Sequence, residues 1–330
     1  YYQNTNLTSI YIGSTVTSIG TDSFLGCSAL QDIFIPDTVT SLGDTIFYQC
    51  YSLVSARLPN GITLIDESVF NNCWFLETVN IPESVTDLGR YAFAFTSSLQ
   101  NITLPDNLIN IGEHAFDSCG LISVVIPDNV TTISQFAFRL CDDMGTATIG
   151  SSVETIGTAA FIYCTSLTEM TVPNSVTSLG SSVFQSCTDL LRLTLGTGVS
   201  VVPNSLALAC NNLESVSLLG NVTSIGNDAF RNCTSLVSIN LPSNLLSIGD
   251  RAFKDCDALV SIDIPANVTT IGLAAFNNCD NLATINCYAT NAPTLGNYVF
   301  TNSPATEIHV PVGATGYGVT YGGLTVIYDL

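Results

Sequence analysis

Residues 236–258 read LVSINLPSNLLSIGDRAFKDCDA, and residues 259–281 repeat them position for position as LVSIDIPANVTTIGLAAFNNCDN. Leu, an aliphatic residue before Pro, Ile-Gly, Ala-Phe and Cys each return after 23 residues. Outward from this pair the same step runs through nearly all of the 330 residues. Cysteines stand at 27, 50, 73, 119, 141, 164, 187, 210, 233, 256 and 279, and Thr96 takes the one vacant place. The interval from Cys119 to Cys141 is 22, because the stretch from Cys119 to Pro127 is one residue short. Phe leads the Cys by three in most units, Gly leads that Phe by four, and Pro recurs at 36, 59, 82, 105, 127, 173, 242 and 265. Leucines open units at 7, 30, 53, 76, 99, 121, 167, 190, 213, 236, 259 and 282, with Met144 in the remaining place, which makes thirteen units. A fixed period of this length marks a solenoid rather than two globular domains. One unit cannot bury its apolar side chains and must stack on its neighbours.

Within a unit, Leu30, Ile33 and Ile35 alternate with Asp32 and Phe34 as a half-buried strand requires, and Pro36 ends it. Val39 and Leu42 turn a second short segment inward. Gly43 is expected to permit a bend, and Ile46-Phe47 with Cys50 to begin a compact helical turn. The pattern predicts an α/β-type repeat solenoid of three-sided coils, with parallel β ladders about 4.8 Å apart, short helical turns and a length of roughly 60 Å. Residues 1–287 are read as the solenoid, and 288–330 as a last irregular repeat with a C-terminal cap. Either residues 1–6 shield the first coil or further repeats are expected upstream of it. One stretch departs from the template: Gly196 replaces Pro, Val202-Pro203 replaces Ile-Gly, Ala207 replaces Phe and Leu219 replaces the next Pro. A local bend, rather than a binding notch, is expected there, with space left by the missing ring unless Leu206 or Leu208 fills it.

The blocks L-x-x-I-x-I-P, V-x-x-I-G and A-F-x-x-C, as in Leu236 to Pro242, Ile248-Gly249, Ala252-Phe253 and Cys256, resemble the BspA-like leucine-rich repeats of type 5, over nearly the whole chain. The closing Val310-Pro311-x-Gly313 and Tyr317 are similar to the end of many such proteins. The resemblance implies a leucine-rich repeat stack. It also implies a cell-surface or secreted binding module that adheres to host or neighbouring-cell proteins or glycans, since members occur on surfaces of anaerobic bacteria and parasitic protozoa. Fold alone does not fix function, and a structural spacer displaying another domain is the alternative.

Acidic residues number 27 against seven basic ones, Lys254 and the arginines at 57, 90, 139, 192, 231 and 251. Nucleic acid and anionic membranes are therefore poor partners. The longest apolar run, Ala159 to Cys164, is far short of the roughly 18 residues of a membrane span, so the chain is expected to be soluble. An acidic, lysine-poor exterior is compatible with an extracellular or cell-surface location. N-x-T stands at Asn6, Asn101, Asn129, Asn221, Asn232 and Asn267, of which those at 129, 221 and 267 arise from the repeat's own Asn-Val-Thr.

No catalytic set is legible, and no enzyme activity, cofactor or metal is expected. His114 and His309 are some eight units apart, and His114 is read as solvated. The cysteines form no C-x-x-C pair. Coil spacing would permit disulfides, but parallel inward side chains favour free thiols acting as small core fillers. Cys287 lies off the column, at an aliphatic strand position. Acidic corners such as Asp142, Asp143, Asp189, Asp257 and Asp280 could line up as a calcium ladder, or simply be solvated. The remaining candidate is the outward strand face, a row of hydroxyls and amides with a few aromatic and arginine anchors: Tyr11, Phe34, Arg57, Asn80, Glu169, Arg192, Asn240 and Asp263. Such a face suits an extracellular protein or glycan, or is plain solvated sheet.

Overall fold

The computed structural model describes residues 1–330, in two compact units, Tyr1–Leu167 and Thr168–Leu330. Both are parallel-strand β-solenoids built from one kind of coil. In the first unit the Leu-x-x-Ile segments give Asp32–Phe34, Ser55–Arg57 and Thr78–Asn80, paired in parallel with Asp32 opposite Ser55 and Ser55 opposite Thr78. Ser123–Val125 likewise pairs Thr146–Thr148, whereas residues 101–104 between them form no ladder strand. The second side carries two-residue strands, Ser18–Ile19 on Ser41–Leu42, and Leu64–Ile65, Asp87–Leu88, Asn110–Ile111, Thr132–Ile133 and Thr155–Ile156 in succession.

The second unit repeats the scheme in Glu169–Val172, Arg192–Leu195, Ser215–Leu218 and Ser238–Ile239. Ser261–Ile264, Thr284–Cys287, Glu307–Val310 and Leu324–Tyr328 then follow, with Thr320–Tyr321 turned back antiparallel at the edge. Tyr317 is buried beneath this last sheet and its hydroxyl donates to the Ala289 carbonyl at 2.6 Å.

The third side is not helical, contrary to the expected helical turns. An α-helix needs consecutive N–H groups bonded four residues back. Here alternate N–H groups leave the coil instead. Those of Thr45, Phe47 and Gln49 donate to the carbonyls of Glu67, Val69 and Asn71 in the next coil at 2.9, 3.1 and 3.0 Å, while Tyr48 and Cys50 close i→i+3 turns at 3.1 and 3.0 Å. Keeping this rhythm puts two residues per coil in the left-handed region, for example Thr45 at φ 57° and Gln49 at φ 62°. Two such residues cost roughly 2–4 kcal/mol. Three inter-coil hydrogen bonds at about 1 kcal/mol each, with a buried Phe contributing about 2–3 kcal/mol, offset that cost.

The glycine column also has a different cause from the expected bend. Gly43 has no positive φ. A Cβ on it would lie 2.3 Å from the Thr21 nitrogen of the preceding coil, and one on Gly249 would lie 2.6 Å from the Gly226 carbonyl carbon. Close stacking of coils, not chain direction, excludes the side chain.

Inside, Phe24, Phe47, Phe70, Phe93, Phe116, Phe138 and Phe161 stack with centroids 5.1–5.6 Å apart in the first unit. Tyr1 continues this column, 5.8 Å from Phe24. Phe230, Phe253, Phe276 and Phe300 stack similarly in the second unit. All twelve cysteines are free and buried. Most thiols of the column donate to the Phe carbonyl of the preceding coil, as Cys50 does to Phe24 at 3.1 Å and Cys256 to Phe230 at 3.2 Å, while Cys27 donates to Tyr1 and Cys233 to Ala207. Thr96 fills the vacant place by donating to Phe93 at 2.7 Å and meeting the Cys119 sulfur at 3.0 Å. The one-residue deletion falls at the next corner, where Gly120 is required: a Cβ there would meet the Ser97 carbonyl oxygen at 2.0 Å.

The coil around Ala207 keeps its backbone ladder, with Phe184 donating to Leu206 and Ala207 to Ala229 at 2.8 Å each. Leu206 is fully buried in the column held elsewhere by Ala229, Ala252 and Ala275. The irregularity is a size exchange between adjacent side chains.

Candidate binding surface

Outward residues of the first strand side stand in straight rows because parallel in-register pairing repeats every side chain direction from coil to coil. In the first unit this side forms an open groove of about 970 Å³ lined by Asp32, Phe34, Ser55, Arg57, Thr78, Asn80 and Thr103. A second depression adjoins it where residues 101–104 leave the ladder, lined by Asn101, Thr103, Ser123 and Val125. Phe34 is 56% exposed, and the Arg57 guanidinium lies over its ring at 4.6 Å from the centroid. Arg57 Nη2 donates to both oxygens of Asp37, at 3.1 and 3.2 Å, and Nη1 donates to the Ile35 carbonyl at 3.1 Å. The Asn60 backbone N–H and then Arg57 hold the Asp37 carboxyl below its ordinary range. Asn80 accepts from the Leu58 N–H at 2.8 Å, and Ser55 donates to Asp32 at 2.6 Å. Phe34, Arg57 and Asn80 thus meet in one groove. Tyr11 is 87% exposed but does not line it.

In the second unit, Glu169 and Arg192 pair with each other on adjacent strands. Asn240 is exposed, and Asp263 accepts from the Asn286 amide at 2.8 Å. Every arginine anchor expected on this face is therefore already neutralised by a carboxylate of its own unit. The first unit's face thus presents hydroxyls, amides, carboxylates and one guanidinium-backed phenyl ring, and the second unit's presents hydroxyls, amides and carboxylates.

Two features escaped the sequence reading. His114 is not solvated: its side chain is 12% exposed, and its ring lies between Tyr91 and Phe136 at 4.6 and 4.8 Å. Its Nδ1 meets the buried Asp117 carboxylate at 2.7 Å, and Arg139 Nε donates to both oxygens of Asp117 at 3.1 Å. Ser118 donates to the same carboxylate at 3.1 Å, and with Arg139 donating from 22 residues along the chain the cluster braces neighbouring coils. The other feature is a set of exposed rings at Trp74, Phe75 and Phe95, with the half-buried Tyr51 lying against Trp74. Its signal was present, since the corner column reads Ser28, Tyr51, Trp74, Ser97. Elsewhere, no three His, Cys, Asp or Glu side chains are grouped to hold a metal ion, and no helix is long and apolar enough to cross a membrane.

A family profile described as BspA type leucine-rich repeat region matches in six copies, over residues 1–121, 86–213 and 200–318. Among solved structures, a leucine-rich repeat protein from Bacteroides ovatus is 26% identical with a TM-score of 0.73, covering 96% of this chain and 88% of its own. A leucine-rich cell surface protein from Faecalibacterium prausnitzii is 28% identical with a TM-score of 0.45, covering 77% of this chain and 85% of its own. Among curated proteins none matches.

Proposed function

Because the chain belongs to the BspA-type leucine-rich repeat family, we propose that it is a non-enzymatic binding module, secreted or displayed at a cell surface, which adheres to an extracellular protein or glycan through its outward strand face. The observation that carries this reading is the first unit's groove, in which Phe34 is clamped beneath Arg57 beside Asn80 and a row of hydroxyls. A preorganised ring among satisfied polar groups costs little to bind against, since neither partner must be ordered first. Tyr11, Phe34, Arg57 and Asn80 are the proposed contact residues of the first unit, and Glu169, Arg192, Asn240 and Asp263 those of the second.

The test is a panel of immobilised matrix proteins and glycans probed with the full chain. Replacing Tyr11, Phe34 and Asn80 by Ala together is expected to weaken the best interaction at least tenfold. Arg57→Ala is expected to weaken it less, because the guanidinium supports Phe34 from within. Binding that survives the triple replacement would move the site off this face. A chain that binds nothing in the panel would favour the spacer reading.

A further inference from the structure

We infer that Asn60 is a site of spontaneous modification, at which the Gly61 nitrogen closes on the side-chain amide and converts it through a succinimide into aspartate and isoaspartate. The inference assumes nothing about what the strand groove binds. Asn60-Gly61 is the only Asn-Gly pair in the chain, and it lies in the turn between Ser55–Arg57 and Leu64–Ile65 with both residues exposed. A Cβ on the following residue would screen its nitrogen from such an attack, and glycine has none.

The repeat sets this asparagine apart from its counterparts. In its column, four side chains cap the turn of the coil that follows. Asp37 accepts from the Asn60 N–H at 3.0 Å, Glu83 from Asp106 at 3.2 Å, Asp128 from Ser151 at 2.7 Å and Asn174 from Thr197 at 2.9 Å. Asn60 caps nothing, and neither its side-chain amide nor the Gly61 N–H has a hydrogen-bond partner. Both reacting groups are therefore free, whereas the Asn174 side chain is held. The Ser84 hydroxyl, shared between the Asn60 and Ile62 carbonyls at 2.8 and 2.6 Å, adds to this. A donor on the Asn60 carbonyl draws charge from the peptide nitrogen as that nitrogen loses its proton, and so assists the attack.

The Gly61 nitrogen gives up its proton and bonds to Asn60 Cγ, the Cγ–Nδ2 bond breaks, and ammonia leaves with that proton. Water then opens the ring. Attack at Cγ restores the ordinary main chain with an aspartate, and attack at the main-chain carbonyl carbon leaves the chain running through Cγ as isoaspartate. Asp37, Asp106 and Asp128 already occupy this column, so the aspartate product fits the coil. Isoaspartate adds one carbon to the main chain beside Asp37, whose carboxylate takes both the Asn60 N–H and the Arg57 guanidinium, and moves that N–H out of register.

The full chain is aged near neutral pH at body temperature and cleaved by trypsin after Arg57 and Arg90. The peptide between them is followed by fragment mass spectra and by isoaspartyl methyltransferase labelling, with a synthetic peptide of residues 58–63 as the unstructured reference. Asn60 in the folded chain is expected to convert within about tenfold of the peptide's rate, faster than Asn174, and to give isoaspartate as well as aspartate. Gly61→Ala, whose Cβ has ordinary room 3.5 Å from Thr40, is expected to slow the conversion at least tenfold. Asn60→Asp is expected to melt with the parent, and the separated isoaspartate product below it. The inference is overturned if the folded chain converts more slowly than that limit, if Asn174 converts as fast, or if no isoaspartate forms. Conversion of Gly61→Ala at the parental rate, or an isoaspartate product that melts with the parent, also overturns it.

Discussion

At the residue scale, each coil holds two kinds of constrained backbone position that differ in physics. The Ile-Gly glycine is crowded by the coil behind it, whereas the residues two before and two after Phe are strained by a left-handed φ. Gly249→Ala is expected to cost about 2–3 kcal/mol, since its Cβ would stand 2.6 Å from backbone that cannot yield. Gly20→Ala should cost little, because the nearest atom is 3.9 Å away and is a side-chain hydroxyl. Conversely Ala274, at φ 53° and half-buried, should gain up to about 1 kcal/mol on replacement by Asn, which tolerates the left-handed region better. Urea denaturation of the three variants decides the matter, and equal losses at Gly20 and Gly249 would refute the crowding account. The glycine column was legible in the sequence. Its cause was not, because a bend and a close approach both select glycine and only the spacing of coils tells them apart.

At the element scale, the third side explains why strand positions were readable and the turn was not. Ile33 and Ile35 alternate with Asp32 and Phe34 at period two, as a half-buried strand does, and both are buried. Ile46-Phe47 and Cys50 have helical spacing, yet the same spacing suits a chain of β-turns whose alternate N–H groups reach the next coil. Intercoil bonding, invisible in one repeat, decides between them. The exchange at Leu206 and Ala207 yields a prediction that runs against the repeat consensus. Alanine is what most coils carry in the Leu206 column, yet Leu206→Ala should cost about 3 kcal/mol or more, because this side chain replaces the bulk of the missing ring. Adding Ala207→Phe to that variant should restore most of the loss. Additive losses in the double variant would show that the two columns do not share one space. The strand-face anchors were legible by the same period-two logic. Their pairing was not, because Arg57 with Asp37 and Arg192 with Glu169 meet across coils that are 20 and 23 residues apart.

At the scale of the whole molecule, the cysteines tie stability to alkaline pH. Burial pushes the thiols of Cys50, Cys210 and Cys279 up to about 12 and that of Cys119 up to about 11, from an ordinary value of 9.0. Burial also raises Cys73, Cys141, Cys233 and Cys256 well above that value. In the unfolded chain these groups ionise near pH 9, while in the folded chain they keep their protons. The contribution is therefore intact below pH 9 and is lost as pH rises through the folded values toward 12. Each thiol removes about 1.4 kcal/mol of stability per pH unit in that window. Cys50, Cys210 and Cys279 alone remove about 4 kcal/mol per unit, or about 12 kcal/mol between pH 9 and 12, which is comparable with a typical domain's 5–15 kcal/mol. A flat stability profile from pH 6 to 9 and a cooperative collapse above it are expected. Thiolate absorbance should rise together with the loss of the β-sheet circular dichroism signal, because the core must open before the sulfurs ionise. Thiolate appearing near pH 9 while the β signal is intact would mean that the sulfurs are accessible in the folded chain. The column of thiols donating to Phe carbonyls would then be wrong.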